Sequence, residues 1–295
     1  MSPTRPELPQ VWTVRDIIQW GREFFTNRDI DEARRTIELM VCAVLGTKRI
    51  ELYTDHDRPL SKDELAQLKA MIQRRVAREP LQYILGKADF YGSTFVVSPS
   101  VLIPRPETEL ISERVSRYCA AKSEQQFVCL DIGTGSGCIP ISIIKHTANT
   151  TWTGIDVSVD ALAVALTNAQ QLGAAERFQT QEADILKSLP LGGPYDIITM
   201  NPPYIGLADL EECQVEVKDH EPTTALTDHA DGLTFYHRLS DILMQIISPG
   251  GHVFLEIGAG QHGDVENIFQ SRGHLTSTIP DLAGIPRLII VEPRT

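Results

Sequence analysis

From Phe127 to the C-terminus, short apolar runs alternate with helical stretches, and no other property of the 295-residue chain restricts its fold as much. "FVCLDI" precedes "CIPISIIKHTA", and "TWTGID" precedes "DALAVALTNAQQLG". "FQTQEAD" is followed by a loop and "YDIITMN", and a helical pattern over 233–247 precedes "GHVFLEI". "HLTSTIP" and "RLIIVEP" close the chain as further strands. Alternation of this kind implies an α/β domain built on a mostly parallel, doubly wound sheet.

The first 80 or so residues read differently, as helices. Thr13 can cap a segment carrying Val14, Ile17, Ile18, Phe24 and Phe25 at mostly helical spacing. "EARRTIELMVCAVLG" is a second helix, with Gly46 as its stop. "SKDELAQLKAMIQRRVARE" opens with a capping box, Ser61 and Glu64, and ends before Pro80. "LQYILG" and "STFVVS" are rich in strand formers and flank "KADFYG", which suggests a hairpin near 83–97. "VLIPRPETELISERVSRYCAA" is an extended piece leading into a helix that begins after Pro106.

Glycines mark the turn between the first strand of the sheet and its helix, "LDIGTGSGCIP". Ligands of such sheets bind at the carboxyl ends of strands, where glycine lets backbone approach them closely. The loop from Gly133 through Thr134, Gly135 and Ser136 to Gly137 has Cys138 where a dinucleotide fingerprint needs its last glycine. No Gly-Lys-Ser/Thr follows, so it is not a P-loop either. Asp131, just before the loop, would repel a pyrophosphate and suits the ammonium of an amino-acid moiety. Asp156 ends the next strand, 19 residues beyond Gly137, where a carboxylate can accept both hydroxyls of a ribose. Asp184 ends the third strand and can receive the exocyclic amine of an adenine, with Ile185 packing on the ring. A cationic, adenosine-containing amino acid fits all of these: S-adenosylmethionine, which leaves as S-adenosylhomocysteine.

"NPPY" follows the fourth strand, so Asn201 emerges at the same edge. Methyl transfer from a sulfonium is an in-line displacement whose main need is positioning. A planar amino nitrogen needs two acceptors for its hydrogens and a flat surface for its plane. The Asn201 side-chain carbonyl and the Pro202 main-chain carbonyl can be those acceptors, held by the restriction Pro203 puts on the residue before it. Tyr204 can stack on the planar group. Chemistry alone leaves glutamine, adenine and guanine open as acceptors.

At this point "DIGTGSGCI" and "NPPYI" resemble the amino-methylating class I methyltransferases, and four flanking motifs narrow the likeness. "EPLQYILGKADFYG", "VLIPRPETE", "EVKDHEPTTAL" and "DGLTFYHRL" resemble the HemK/PrmC family, from about residue 10 to the end. Members methylate the N5 amide nitrogen of the glutamine in the Gly-Gly-Gln loop of class 1 peptide chain release factors. The resemblance implies a class I S-adenosylmethionine-dependent methyltransferase fold, Rossmann-like, with a mostly parallel seven-stranded sheet, over 99–295. It also implies a small helical substrate-recognition domain over 1–82 and a linking β-hairpin over 83–98. Carried over by motif, Asp131, Gly133 to Gly137, Asp156, Asp184, Ile185 and Asn201 hold the cofactor, and Asn201 to Tyr204 hold the glutamine amide. Relatives often carry an aromatic residue where Ile185 stands, which implies weaker adenine packing here. "IPRPETE" is expected to wall the site, with Arg105 touching substrate or pairing with Glu107 or Glu109. The reaction needs no general base, so "EVKDHEP", with His220 beside Glu221, is expected to be a substrate loop.

Rivals remain on the sequence alone. The sister enzyme that methylates a glutamine of a large-subunit ribosomal protein shares the loop and the Asn-Pro-Pro-Tyr. A nucleic-acid amino methyltransferase also suits a flipped base, but the net charge of −12 argues against a large grip on duplex DNA. A non-catalytic cofactor-binding module predicts damage to Asn201 or the loop, and both are intact. The remaining expectations are general. Cys42, Cys119, Cys129, Cys138 and Cys213 form no C-x-x-C and suit buried thiols in a reducing compartment. The eight histidines have no metal-ligand spacing, so no metal is expected. "MSPTRPELPQ" lacks a signal core and no window is apolar enough to span a bilayer, which points to a cytoplasmic protein. A monomer is expected, and Trp12, Trp20 and Trp152 are expected to be packing residues.

Overall fold

The structure, a computed structural model, describes residues 11–294; "MSPTRPELPQ" therefore lies outside the described residues. The chain divides into two compact units, one ending at Leu85 and the other beginning at Gly86.

The first unit is helical. Helices Val14–Thr26 and Lys62–Val76 each begin with a reciprocal capping box, Thr13 with Asp16 and Ser61 with Glu64. In the second box the Ser61 N–H donates to Glu64 Oε2 at 2.7 Å. These boxes satisfy donors that a helix start leaves orphaned. Helix Ala33–Leu45 ends at Gly46 in the left-handed conformation. A Cβ on Gly21 would lie 2.4 Å from Ile37 Cγ1, so glycine lets the first two helices approach closely. Phe25, Ile37, Met40, Val41 and Leu68 fill the core between them. Trp12 and Trp20 meet edge to face at 5.9 Å within this unit, as packing residues.

"LQYILG" corrects one expectation. Leu81–Leu85 is a helical turn, not a strand, because Tyr83 N and Ile84 N both donate to Pro80 O. The hairpin is narrower than expected, β1 (Lys87–Phe90) against β2 (Ser93–Val96), with Lys87 opposite Val96. Strand propensity in so short a segment yields to a proline that starts a turn and a glycine, Gly86, that stops it.

Beyond the hairpin, the second unit holds a seven-stranded sheet among the described residues: β3 (Phe127–Ile132), β4 (Thr150–Asp156), β5 (Phe178–Glu182), β6 (Tyr195–Met200), β7 (Ile247–Glu256), β8 (Leu275–Pro280) and β9 (Pro286–Glu292). Their order is β5-β4-β3-β6-β7-β9-β8. The strands from β5 through β7 run parallel, and β9 is antiparallel to both β7 and β8. Successive residues go to opposite cores: Leu130, Ile132, Ile198 and Leu255 to one, Cys129, Ile197 and Phe254 to the other. Trp152 packs in the second of these cores. Burial on both faces explains why these strands read as continuous apolar runs. The chain builds outward from β3 to β5, then returns to lay β6 on the other side of β3. That reversal opens a crevice beyond the carboxyl ends of β3 and β6, where ligands of such sheets bind.

Candidate active site

The loop after β3 is shaped by its own glycines and by the end of β4. Gly133, Gly135 and Gly137 have φ of +71°, +53° and +74°, which side-chain-bearing residues rarely adopt. A Cβ on Gly137 would also sit 2.8 Å from Ile141 Cδ1. Gly133 N and Thr134 N both donate to Ile155 O. Asp156 then ties the loop down: Oδ2 accepts from Gly135 N at 2.9 Å and Oδ1 from Ser158 N at 3.0 Å.

Asp131 lies beneath this loop and is only 1% exposed. Its Oδ1 accepts from Thr199 Oγ1 at 2.6 Å, across the β3–β6 pairing. Oδ2 is buried and takes no hydrogen bond of standard geometry, with the Thr134 hydroxyl close by. Burial pushes the Asp131 carboxyl up to about 7, and the neighbouring Thr199 and Thr134 hydroxyls oppose that rise. An orphaned carboxylate oxygen under a glycine loop fits a cationic ligand head.

Above it is a cleft of about 540 Å³, and Gly133 through Ser136, Asp156, Asp184, Ile185, Asn201, Pro202 and Pro203 line it. Three expected site residues, Asp131, Gly137 and Tyr204, stand behind this wall, outside the lining set. Asp184 keeps its charge, because Lys187 pairs with Oδ2 at 2.8 Å and holds the carboxyl below its ordinary range. Ile185 is buried, and Phe235 from the helix Thr234–Ile246 lines the same cleft. Phe235 supplies an aromatic face where Ile185 has none; the quoted "DGLTFYHRL" carried it without marking it.

Asn201 follows β6 directly. Its Nδ2 donates to Thr108 Oγ1 at 3.2 Å, so the amide hydrogens point toward "IPRPETE" and the carbonyl oxygen is left over. Further along, Gln261 Nε2 donates to Tyr204 O at 3.0 Å while its Oε1 accepts from Gly258 N at 2.8 Å. A Cβ on Gly232 would lie 2.2 Å from the same Tyr204 carbonyl, so that backbone is closely packed from two sides. The Tyr204 ring packs against the central core and its hydroxyl donates to Glu256 Oε1 at 3.3 Å.

Arg105 pairs with neither Glu107 nor Glu109. Its partner is Glu221, whose Oε1 it holds and whose Oε2 accepts from Ile103 N at 3.1 Å. Glu109 instead accepts from Tyr91 N at 2.8 Å. "IPRPETE" and "EVKDHEP" are thus clamped together through a 5% exposed carboxylate, a pairing across 116 residues that spacing could not show. Glu221→Ala leaves Arg105 and Ile103 N–H without this acceptor and is expected to cost about 3 kcal/mol, read by urea unfolding. A midpoint within error of the parent would remove the clamp from the account.

Among the described residues, no group of three His, Cys, Asp or Glu is placed to hold a metal, and no helix is long and apolar enough to cross a membrane. Residues 16–86 match the PrmC N-terminal domain, and residues 123–244 match a methyltransferase domain. The release factor glutamine methyltransferase of Geobacter sulfurreducens is 39% identical over 285 residues, covering 96% of this chain and 98% of the relative. That of Chlorobaculum tepidum is 39% identical over 268 residues, covering 89% and 91%. The crystal structure of a methyltransferase from Pyrococcus furiosus superposes with a TM-score of 0.50 at 17% identity, covering 76% of this chain and 96% of that one, and shares its fold. Identity at this level over nearly the whole length places the chain in the HemK/PrmC family of release factor glutamine methyltransferases.

Proposed function

We propose that the protein transfers a methyl group from S-adenosylmethionine to the N5 side-chain amide nitrogen of the glutamine in the Gly-Gly-Gln loop of class 1 peptide chain release factors. The observation that carries this reading is the aim of Asn201, whose Nδ2 donates one hydrogen to Thr108 while its residue forms part of the cleft wall. A carbonyl oxygen left over at the end of β6 accepts one hydrogen of an incoming –NH₂, and the Pro202 carbonyl accepts the other. With both hydrogens held, the nitrogen lone pair turns toward the bound cofactor. The aim survives because Gln261 and Gly232 fix the backbone at Tyr204. Tyr204 flanks the amide plane from behind the wall.

S-adenosylmethionine, when bound, supplies a methyl group already activated on a sulfonium, so the chain's work is positioning. Asp131 faces the ammonium from under the loop, Asp156 the ribose, Asp184 the adenine amine, and Ile185 with Phe235 the adenine ring. The methylated nitrogen sheds its proton after bond formation, so no strong base is needed. The helical unit that ends at Leu85 serves as the recognition domain for the release factor, and the Lys87–Val96 hairpin follows it at the start of the second unit. We further propose a cytoplasmic monomer that contacts no nucleic acid directly.

Purified protein incubated with labelled cofactor and a release factor, ribosomal proteins, or RNA and DNA tests the reading. Label is expected on the release factor glutamine; label on nucleic acid alone would sink it. Asp131 adds a pH signature. Its free carboxyl, raised to about 7, protonates below that pH, and a cationic ligand prefers it ionised. Cofactor affinity is therefore expected to fall by up to about tenfold per pH unit below that point, measured by titration calorimetry. Asp131→Asn should flatten that slope and raise the melting temperature of the free protein above pH 7, since a carboxyl raised to about 7 costs stability once ionised. An unchanged slope would free Asp131 from the ammonium.

A further inference from the structure

Glu256 ends β7, the strand beside the one that delivers Asn201, and no step of the transfer uses it. It is 2% exposed. Oε1 accepts from the Tyr204 hydroxyl at 3.3 Å, while Oε2 is buried and takes no hydrogen bond of standard geometry. The Thr108 hydroxyl lies near the same carboxyl and helps hold charge on it. Thr108 is also the residue that accepts from Asn201 Nδ2 at 3.2 Å. Both arms that present the substrate amide, Asn201 through Thr108 and Tyr204 through its own hydroxyl, therefore converge on one carboxylate.

That convergence fixes direction. An ionised carboxylate has no hydrogen to give. The Tyr204 hydroxyl donates to Glu256, and the nearby Thr108 hydroxyl turns its hydrogen toward the same charge, which leaves the Thr108 oxygen as an acceptor. An acceptor at that place admits the Asn201 amide in one orientation only, Nδ2 toward Thr108 and Oδ1 toward the cleft. We propose that Glu256 is a positioning residue for methyl transfer, setting the polarity of the hydrogen bonds that aim Asn201 and hold Tyr204. The proposal rests on the methyl-transfer reading above, but it concerns the wiring of this chain's own residues.

The surroundings of Glu256 are mixed. Glu107 repels its charge and Arg287 attracts it, while the Tyr204 hydroxyl bonds it and the nearby Thr108 hydroxyl favours its ionised form. Tyr236 donates to its main-chain carbonyl at 2.6 Å, and Cys138 and Tyr236 both feel its charge. Burial is the largest influence and pushes the carboxyl up to about 7. A proton gained there turns an acceptor into a donor, and the chain to Asn201 loses its fixed sense.

The test compares Glu256→Gln, Thr108→Val and Thr108→Ser with the parent, measuring kcat and KM on a release factor, cofactor Kd, and the pH profile of kcat at saturating cofactor. Glu256→Gln keeps the shape but presents donors; it and Thr108→Val are each expected to lower kcat about 10- to 100-fold, with cofactor Kd and the KM for release factor little changed. Thr108→Ser should restore most of the activity. The parent kcat should fall below about pH 7, and that limb should be absent from Glu256→Gln. Saturating cofactor keeps the titration of Asp131 out of this profile. Parent-like kcat in Glu256→Gln, or full activity in Thr108→Val, would overturn the proposal, as would an acid limb that survives in Glu256→Gln. If the parent labels some other acceptor, the release-factor reading fails on that result alone, and the same kcat ratios on the labelled species still decide the role of Glu256.

Discussion

Asn201→Ala is expected to lower kcat about 1,000-fold or more, with cofactor Kd held within about threefold. On the proposed reading, the alanine removes the oxygen that would take one hydrogen of the acceptor amide, and the Pro202 carbonyl alone would not orient the lone pair. It also strands the Thr108 hydroxyl, which accepts from Asn201 Nδ2. On the proposed reading the cofactor contacts would come chiefly from the β3 loop and from the ends of β4 and β5, so binding should persist. Single-turnover labelling gives the rate and calorimetry gives the affinity. An alanine variant with parent-like turnover would show that the amide is held by other groups.

Asp156→Ala is expected to weaken cofactor binding about 100-fold, equivalent to about 3 kcal/mol. Two separate losses add. The carboxylate that would take the ribose hydroxyls disappears, and so does the acceptor for Gly135 N and Ser158 N at 2.9 and 3.0 Å. The loop is held in left-handed conformations at three glycines, so an untied loop has many alternatives to relax into. Asp156→Asn keeps one oxygen and should fall between parent and alanine. Calorimetry at fixed pH checks the order; an asparagine variant weaker than alanine would contradict the account.

The middle of the sheet was legible because β3, β6 and the end of β7 are largely buried on both faces and therefore appear as mostly apolar runs. Asp131, Asp156 and Asp184 could be read together because each lies at or just past the carboxyl end of a neighbouring parallel strand, although β5 stops at Glu182, two residues before Asp184. "LQYILG" was misread because six residues of mixed propensity do not outweigh a flanking Pro80 and Gly86. Arg105 drew attention to acidic neighbours two and four residues away, but its partner is Glu221. Thr108 and Glu256 left no mark at all. A threonine inside a loop motif and a glutamate at a strand end look ordinary until β6 and β7 lie side by side.

The sequence by itself determined the sheet, the glycine loop, the kind of ligand and the kind of nitrogen, because each depends on local patterns: residue periodicity, glycine spacing, and charge type at strand ends. Tertiary structure decided which way those groups face. It placed Asp131 under the loop and Tyr204 behind the cleft wall, clamped Glu221 to Arg105, and brought Phe235 into the cleft beside Ile185. It also set Thr108 against Asn201, with the carboxylate of Glu256 close by. Such pairings join residues tens to more than a hundred positions apart, and hydrogen-bond direction depends on which acceptor lies across the gap. Spacing along a chain carries no record of that.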